Sequence, residues 1–140
     1  MAAFLVRAKG LTQLFPPTPT FADVPASSVF FGYVERLFEQ GITGGCLSSG
    51  GQLFFCPKDN VPRQQMAAFL VRAKGLTQLF PPTPTFADVP PSNPFFGYIE
   101  RLYQTGITQG CGASGGQLFF CPGDFVPRQQ MASFLIRAFA

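Results

Sequence analysis

The side chains able to do chemistry in this 140-residue sequence are few. Four cysteines stand as two equivalent pairs, Cys46/Cys56 and Cys111/Cys121, each bracketing a glycine-rich stretch. Seven carboxylates, Asp23, Glu35, Glu39, Asp59, Asp88, Glu100 and Asp124, are spread along the chain, and histidine is absent. Without imidazole there is no His-ligated haem, no His-containing zinc site and no Ser-His-Asp chemistry. A glycosidase needs two carboxyl groups facing one cleft. Glu35 and Glu39 lie about one helical turn apart, and Gln104 takes the place of Glu39 in the second half, so a solvated helix face is expected there. Asp23 and Asp88 each sit in Phe-Ala-Asp-Val-Pro, where an aspartate commonly bonds local backbone. No nucleophile–base pair and no phosphate loop is visible. The chain reads as non-catalytic, with no cofactor and no metal.

The cysteine spacing is not C-x-x-C, which argues against a redox motif or a zinc ribbon. Four cysteines allow three disulfide connectivities, and a four-thiolate metal site shared between units is an alternative. The local pairing, Cys46–Cys56 and Cys111–Cys121, is expected because each pair stands at the two feet of one glycine-rich hairpin. Closing a loop of this size stabilises by ~2–3 kcal/mol in the chain-entropy account. Persistent disulfides imply an oxidising, extracellular setting.

The net charge of +3 comes from ten basic and seven acidic side chains that form no stripe, so no nucleic-acid partner is expected. Charged residues are only 12% of the chain and apolar ones 46%, against about 25% charged in ordinary domains. So lightly charged a surface suits contact with neighbouring copies or with a polysaccharide. There is no apolar run long enough to span a membrane. The start, Met1 to Arg7, lacks the features of a signal peptide. It recurs letter for letter at 66–72, so Met1 reads as a position inside a repeat unit.

Residues 1–25 and 66–90 are identical, and the similarity continues to the C-terminus with a period of 65 residues. Each complete unit opens with an extended Phe-Ala-Asp-Val-Pro. Ser28, or Asn93 followed by Pro94, then offers a helix cap. Val29, Phe30, Tyr33, Val34, Leu37 and Phe38 recur at helical spacing, which predicts an amphipathic helix over 29–40 with its aromatic face in the core, stopped at Gly41. Ile42-Thr43 and Gln52 to Phe55 are expected as short strands around a loop at 44–51. Pro62 starts a closing helix with Met66, Phe69, Leu70 and Ala73 as its apolar stripe. Between units, Leu79-Phe80-Pro81-Pro82-Thr83-Pro84-Thr85, and its copy at 14–20, read as stiff polyproline-type spacers. Thr18, Thr20, Thr83 and Thr85 lie in a composition typical of O-glycosylated segments, the alternative being an undecorated linker.

These pieces resemble one family. The order F-A-D-V-P (21–25, 86–90), an aromatic-led helix (30–40, 95–105), G-I-T-x-G (41–45, 106–110), F-C-P (55–57, 120–122) and R-Q-Q-M-A-x-F-L (63–70, 128–135) is similar to the S-layer homology motif. The resemblance implies a mainly α fold with short β-hairpins, built as tandem helix–hairpin–helix repeats. On that frame residues 1–20 are the closing helix of a partial repeat plus spacer, 21–73 repeat 1, 74–85 a spacer and 86–140 repeat 2. It also implies a cell-surface location and a polysaccharide partner held in grooves to which the R-Q-Q segment contributes. Arg63 and Arg128 would then be sugar contacts, suited to a carboxylate, with Gln65 and Gln130 beside them; the alternative is a helix-start arginine that bonds a neighbouring loop. The family's threonine before that arginine is Pro62 or Pro127 here, its acid is Gln65 or Gln130, and its frequent tryptophan is absent.

Two functions are expected. The first is self-assembly into a filament, tube or lattice, because repeat units bury a face on their neighbours and end units need capping. Met1, Phe4 and Leu5 at one end, and Ile136 and Phe139 at the other, would form that contact. The second is a non-covalent wall-polysaccharide anchor.

Overall fold

Proline, glycine and short polar residues set many of the element boundaries in the structure, a computed structural model that describes residues 1–139. The elements in chain order are α1 (Ala2–Ala8), α2 (Phe31–Glu39), β1 (Leu47–Ser49), β2 (Gln52–Phe54), α3 (Arg63–Ala73), α4 (Phe96–Gln104), β3 (Gly112–Ser114), β4 (Gln117–Phe119) and α5 (Arg128–Phe139). The fold is mainly helical with short antiparallel hairpins, β1–β2 and β3–β4. By packing the chain forms two compact units, Met1–Asp59 and the residues from Asn60 onward. This division is offset from the sequence repeat, because each closing helix packs with the opening helix that follows it. In the first unit α1 lies against α2; in the second α3 lies against α4.

The opening helix is shorter than its sequence pattern suggested, and its buried stripe is displaced. Phe31, Val34 and Leu37 are buried, while Val29 and Phe30 are exposed and Phe38 is near the surface. Ser28 is the reason. Its Oγ accepts from the Phe30 amide at 3.2 Å and its carbonyl from the Phe31 amide at 3.1 Å. Residues 28–30 are thereby held in a turn ahead of the helix, and the 3.6-residue period starts at Phe31. Asn93 does the same in the second unit, its Oδ1 accepting from the Phe95 amide at 2.8 Å. The helix ends in a Schellman arrangement: the Ile42 amide bonds the Leu37 carbonyl at 2.9 Å, and the Gly41 amide bonds Phe38 at 3.0 Å.

That arrangement also corrects the expected first strand. Ile42 and Thr43 are buried, but their amides are committed to Leu37, so they cannot join a ladder. The strand forms within the stretch expected to be loop, at Leu47–Ser49. Gly50 and Gly51, with φ of 59° and 76°, make the two-residue turn that only residues tolerant of positive φ adopt readily. Once that turn is fixed, register follows: Ser49 faces Gln52 and Leu47 faces Phe54.

The opening Phe-Ala-Asp-Val-Pro segment adds to the hairpin from outside. Phe21 bridges Leu53 in parallel, and the Ala22 amide bonds the Leu53 carbonyl at 2.8 Å. Asp23 then accepts from the amides of Phe55 and Cys56, both at 2.8 Å. Asp88 repeats this on Phe120 and Cys121 at the same distances. The aspartate was expected to serve local backbone; its partners are instead 32 and 33 residues away. Cys56 and Cys121 hold positive φ, 57° and 58°, a region that side chains other than glycine visit rarely. The carboxylate bonds offset that cost.

The proline-rich spacers are not straight rods. Residues 12–15 lie along α2: Arg36 Nε donates to the Thr12 carbonyl at 2.9 Å, and the Leu14 amide to the Gly32 carbonyl at 2.9 Å. A Cβ on Gly32 would come within 2.6 Å of Gln13 Cβ, so only glycine lets the spacer approach this closely. The chain then bends at Pro17 and Thr18. At its far end Thr20 donates through its amide and its hydroxyl to Glu35, at 2.8 and 2.6 Å. Glu35 is therefore buried and bonded, not on the solvated face that helical spacing suggested. Glu39 does stand exposed, paired with Arg36 at 3.1 Å. Glu100 and Thr85 reproduce the Glu35–Thr20 arrangement.

Replacing Asp88 by Asn keeps the shape but removes the charge from both bonds and turns one acceptor into a donor facing an amide. A hydrogen bond to a charged group contributes about 1.5–3 kcal/mol. Asp88→Asn is expected to lower unfolding free energy by about that amount, measured by urea titration of the non-reduced protein; an unchanged midpoint would remove the clamp from the account.

Candidate functional site

Each hairpin is closed as its cysteine positions suggested. Cys46 bonds Cys56 and Cys111 bonds Cys121, with Cα–Cα distances of 6.0 Å in both. The Cys46 amide also donates to the Phe54 carbonyl at 2.7 Å. The disulfide therefore sits directly outside the last ladder bond, and the Asp23 clamp holds its second cysteine.

The two arginines of the closing helices stand in different surroundings. Arg63, the first residue of α3, is only 5% exposed. Its guanidinium lies over the rings of Phe120 and Phe134, 4.7 and 5.3 Å from their centroids. Nε donates to the Phe120 carbonyl at 2.7 Å, and Nη1 to Gln130 Oε1 at 3.1 Å. The backbone is pinned as well: the Arg63 amide bonds Asp124 and the Gln64 amide bonds Pro122, at 2.8 and 3.0 Å. Burial pushes the guanidinium pKa down, and the charges of Asp124 and Asp88 oppose that. Arg63 thus joins α3 to the hairpin loop and to α5 within one unit, enclosed by two aromatic rings. Arg128, the first residue of α5, is exposed. Gln65 is exposed too, while Gln130 is exposed yet engaged by Arg63.

The residues expected at an assembly contact are split in the same way. Leu5 is fully buried, part of the packing of its own unit. Met1 and Phe4 are half-buried. Ile136 is 65% exposed, beside a shallow depression lined by Ala132, Ser133 and Arg137. Phe139 is half-buried, with Lys74 Nζ 5.5 Å from its ring centroid. Of the four spacer threonines, Thr18 and Thr83 are exposed, whereas Thr20 and Thr85 spend their hydroxyls on Glu35 and Glu100.

Sequence reasoning passed over a repeated surface pair. Arg7 stacks on Tyr33, 5.1 Å from the ring centroid, and donates to its hydroxyl at 2.9 Å. Arg72 and Tyr98 do the same at 5.2 and 3.1 Å. The identical offset of 26 residues in both halves was the available signal. Among the described residues no group of three or more His, Cys, Asp or Glu is placed to hold a metal. No helix among them is long and apolar enough to cross a membrane.

Comparison with known proteins adds to this geometry. The model of the S-layer homology domain matches residues 85–132, a stretch that holds Asp88, Glu100, the second disulfide and the start of α5. An endoglucanase of Bacillus sp. (strain KSM-635) is 32% identical over 119 residues, which is 85% of this chain and 12% of that protein. Within the matched stretch the arginine that opens α5 is Arg128, and the same position one period earlier is the buried Arg63.

Arg63→Ala is expected to destabilise the chain by at least about 2 kcal/mol, since it removes charge-assisted bonds and a desolvated cation–π stack. Arg63→Lys is expected to recover only part of that, because an ammonium lacks the planar fork. Urea unfolding of both variants measures this; wild-type stability for Arg63→Ala would contradict the structural role.

Proposed function

We propose that this chain is a non-catalytic anchoring module that holds a secreted protein on cell-wall polysaccharide without a covalent bond. The observation that carries this reading is the match of residues 85–132 to the S-layer homology domain model. Residues 21–73 carry the same ordered pieces and would be a second such repeat. The chain corresponds to 12% of the endoglucanase it resembles, the proportion of an attached module and not of catalytic machinery. The carboxylates point the same way: Asp23, Asp88, Glu35 and Glu100 are all bonded to amides of their own chain, which leaves them no role as acid or base. The two disulfides fit an extracellular, cell-surface protein.

Arg128 is the arginine proposed to meet an anionic sugar, because its counterpart Arg63 is enclosed. A second reading, assembly of copies into a filament or lattice, is favoured by the exposed Ile136 at the end of α5. It is the lesser of the two, since Leu5, at the other end of the proposed contact, is buried within its own unit.

Co-sedimentation with purified cell walls separates these readings. The oxidised chain is expected to pellet with intact walls and to stay in solution with walls stripped of their secondary polysaccharide. Arg128→Ala is expected to weaken binding about tenfold, the loss of one charge-assisted pair. Failure to pellet with intact walls, together with regular filaments of the protein alone in electron micrographs, would favour assembly instead.

A further inference from the structure

The proline-rich spacers are the one motif that wall anchoring leaves without a role. Their four threonines are chemically alike and lie in the same sequence, Phe-Pro-Pro-Thr-Pro-Thr, at 15–20 and 80–85. The structure makes them unlike. Thr20 and Thr85 donate their hydroxyls to buried carboxylates at 2.6 and 2.7 Å. A substituent on either oxygen would replace that hydrogen and leave Glu35 or Glu100 short of a donor inside the unit. Thr18 and Thr83 sit at the bend of the spacer, exposed, and their side chains engage no partner among the described residues.

The flanks of these two positions suit an acceptor. Pro17 and Pro19, or Pro82 and Pro84, stand on either side. Each proline fixes its own φ, and the following proline disfavours the helical region for the threonine. An enzyme that binds the segment therefore meets a backbone already ordered, and little conformational freedom is lost on recognition. Phe15 and Phe80, both 67% exposed, mark the same surface three residues earlier. They are held in place there by Phe31 and Phe96, at centroid distances of 6.4 and 6.3 Å.

We propose that Thr18 and Thr83 are sites of O-linked glycosylation and that Thr20 and Thr85 are not. The donor is a sugar activated as a nucleotide- or lipid-linked phosphate ester. The threonine oxygen forms a bond to the anomeric carbon, the phosphate leaves with the electron pair of the broken C–O bond, and the hydroxyl proton passes to a base of the transferase. The inference concerns modification only and does not depend on whether the chain binds wall polysaccharide.

The test is mass spectrometry of the chain isolated from the surface of its native cells, with fragmentation that keeps side-chain substituents in place. Whole-monosaccharide increments on Thr18 and Thr83, with Thr20 and Thr85 bare, are expected. The double variant Thr18→Ala/Thr83→Ala, expressed in the same cells, is expected to lose every increment on the spacers while keeping wild-type urea stability. Unmodified Thr18 and Thr83, increments on Thr20 or Thr85, or a phosphate in place of sugar would each overturn the assignment.

Discussion

One carboxylate in each half, Asp23 or Asp88, ties the opening strand to the end of a hairpin more than thirty residues away. Both of its oxygens accept backbone amides, and one of those amides belongs to a cysteine held at positive φ. Charge-assisted bonds of this kind are about twice as strong as neutral ones. The rest of the unit depends on this contact. It sets the last hairpin residue where its thiol meets Cys46 or Cys111, and it seats Phe21 or Phe86, almost fully buried, beside the opening helix. The hairpin itself has only three residues per strand, too few for independent stability. The clamp, the disulfide and the buried phenylalanine supply what the ladder lacks.

Much of this was legible in the sequence, and what was missed shares a cause. Helix–hairpin–helix order, the pairing of cysteines and the helix starts at Pro62 and after Ser28 follow from local chemistry: proline, glycine and short polar caps act on their immediate neighbours. The opening helix begins two residues later than expected, at Phe31 instead of Val29, because Ser28 uses both side chain and carbonyl to hold a turn, which periodicity does not report. The first strand was misplaced because Ile42 looks like a strand residue, yet its amide closes the helix before it. Glu35 looks like a surface acid and Asp23 like a local turn residue, yet their partners lie 15 and 32 residues along the chain. Long-range polar bonds leave no periodic trace in a single sequence.

The same limit explains the arginines. Composition and motif order give Arg63 and Arg128 one role, since they occupy the same place in closely similar segments. Packing separates them. Arg63 has a second hairpin and a further helix of its own unit around it, with Phe120, Phe134 and Gln130 as neighbours. Duplicated sequence does not guarantee duplicated environment, because a residue facing the next element depends on what that element is. The threonines of the spacers make the point within a single segment, where two residues' distance decides between a buried carboxylate and open solvent.

An anchoring module should work by presenting a preformed surface and should leave its ligand unchanged. Titration calorimetry of the oxidised chain with isolated wall polysaccharide, followed by sizing of the recovered polymer, tests both halves of that claim together. Saturable binding with the polysaccharide recovered at full length is the predicted result. Absence of binding heat, or a shortened polymer, would contradict it.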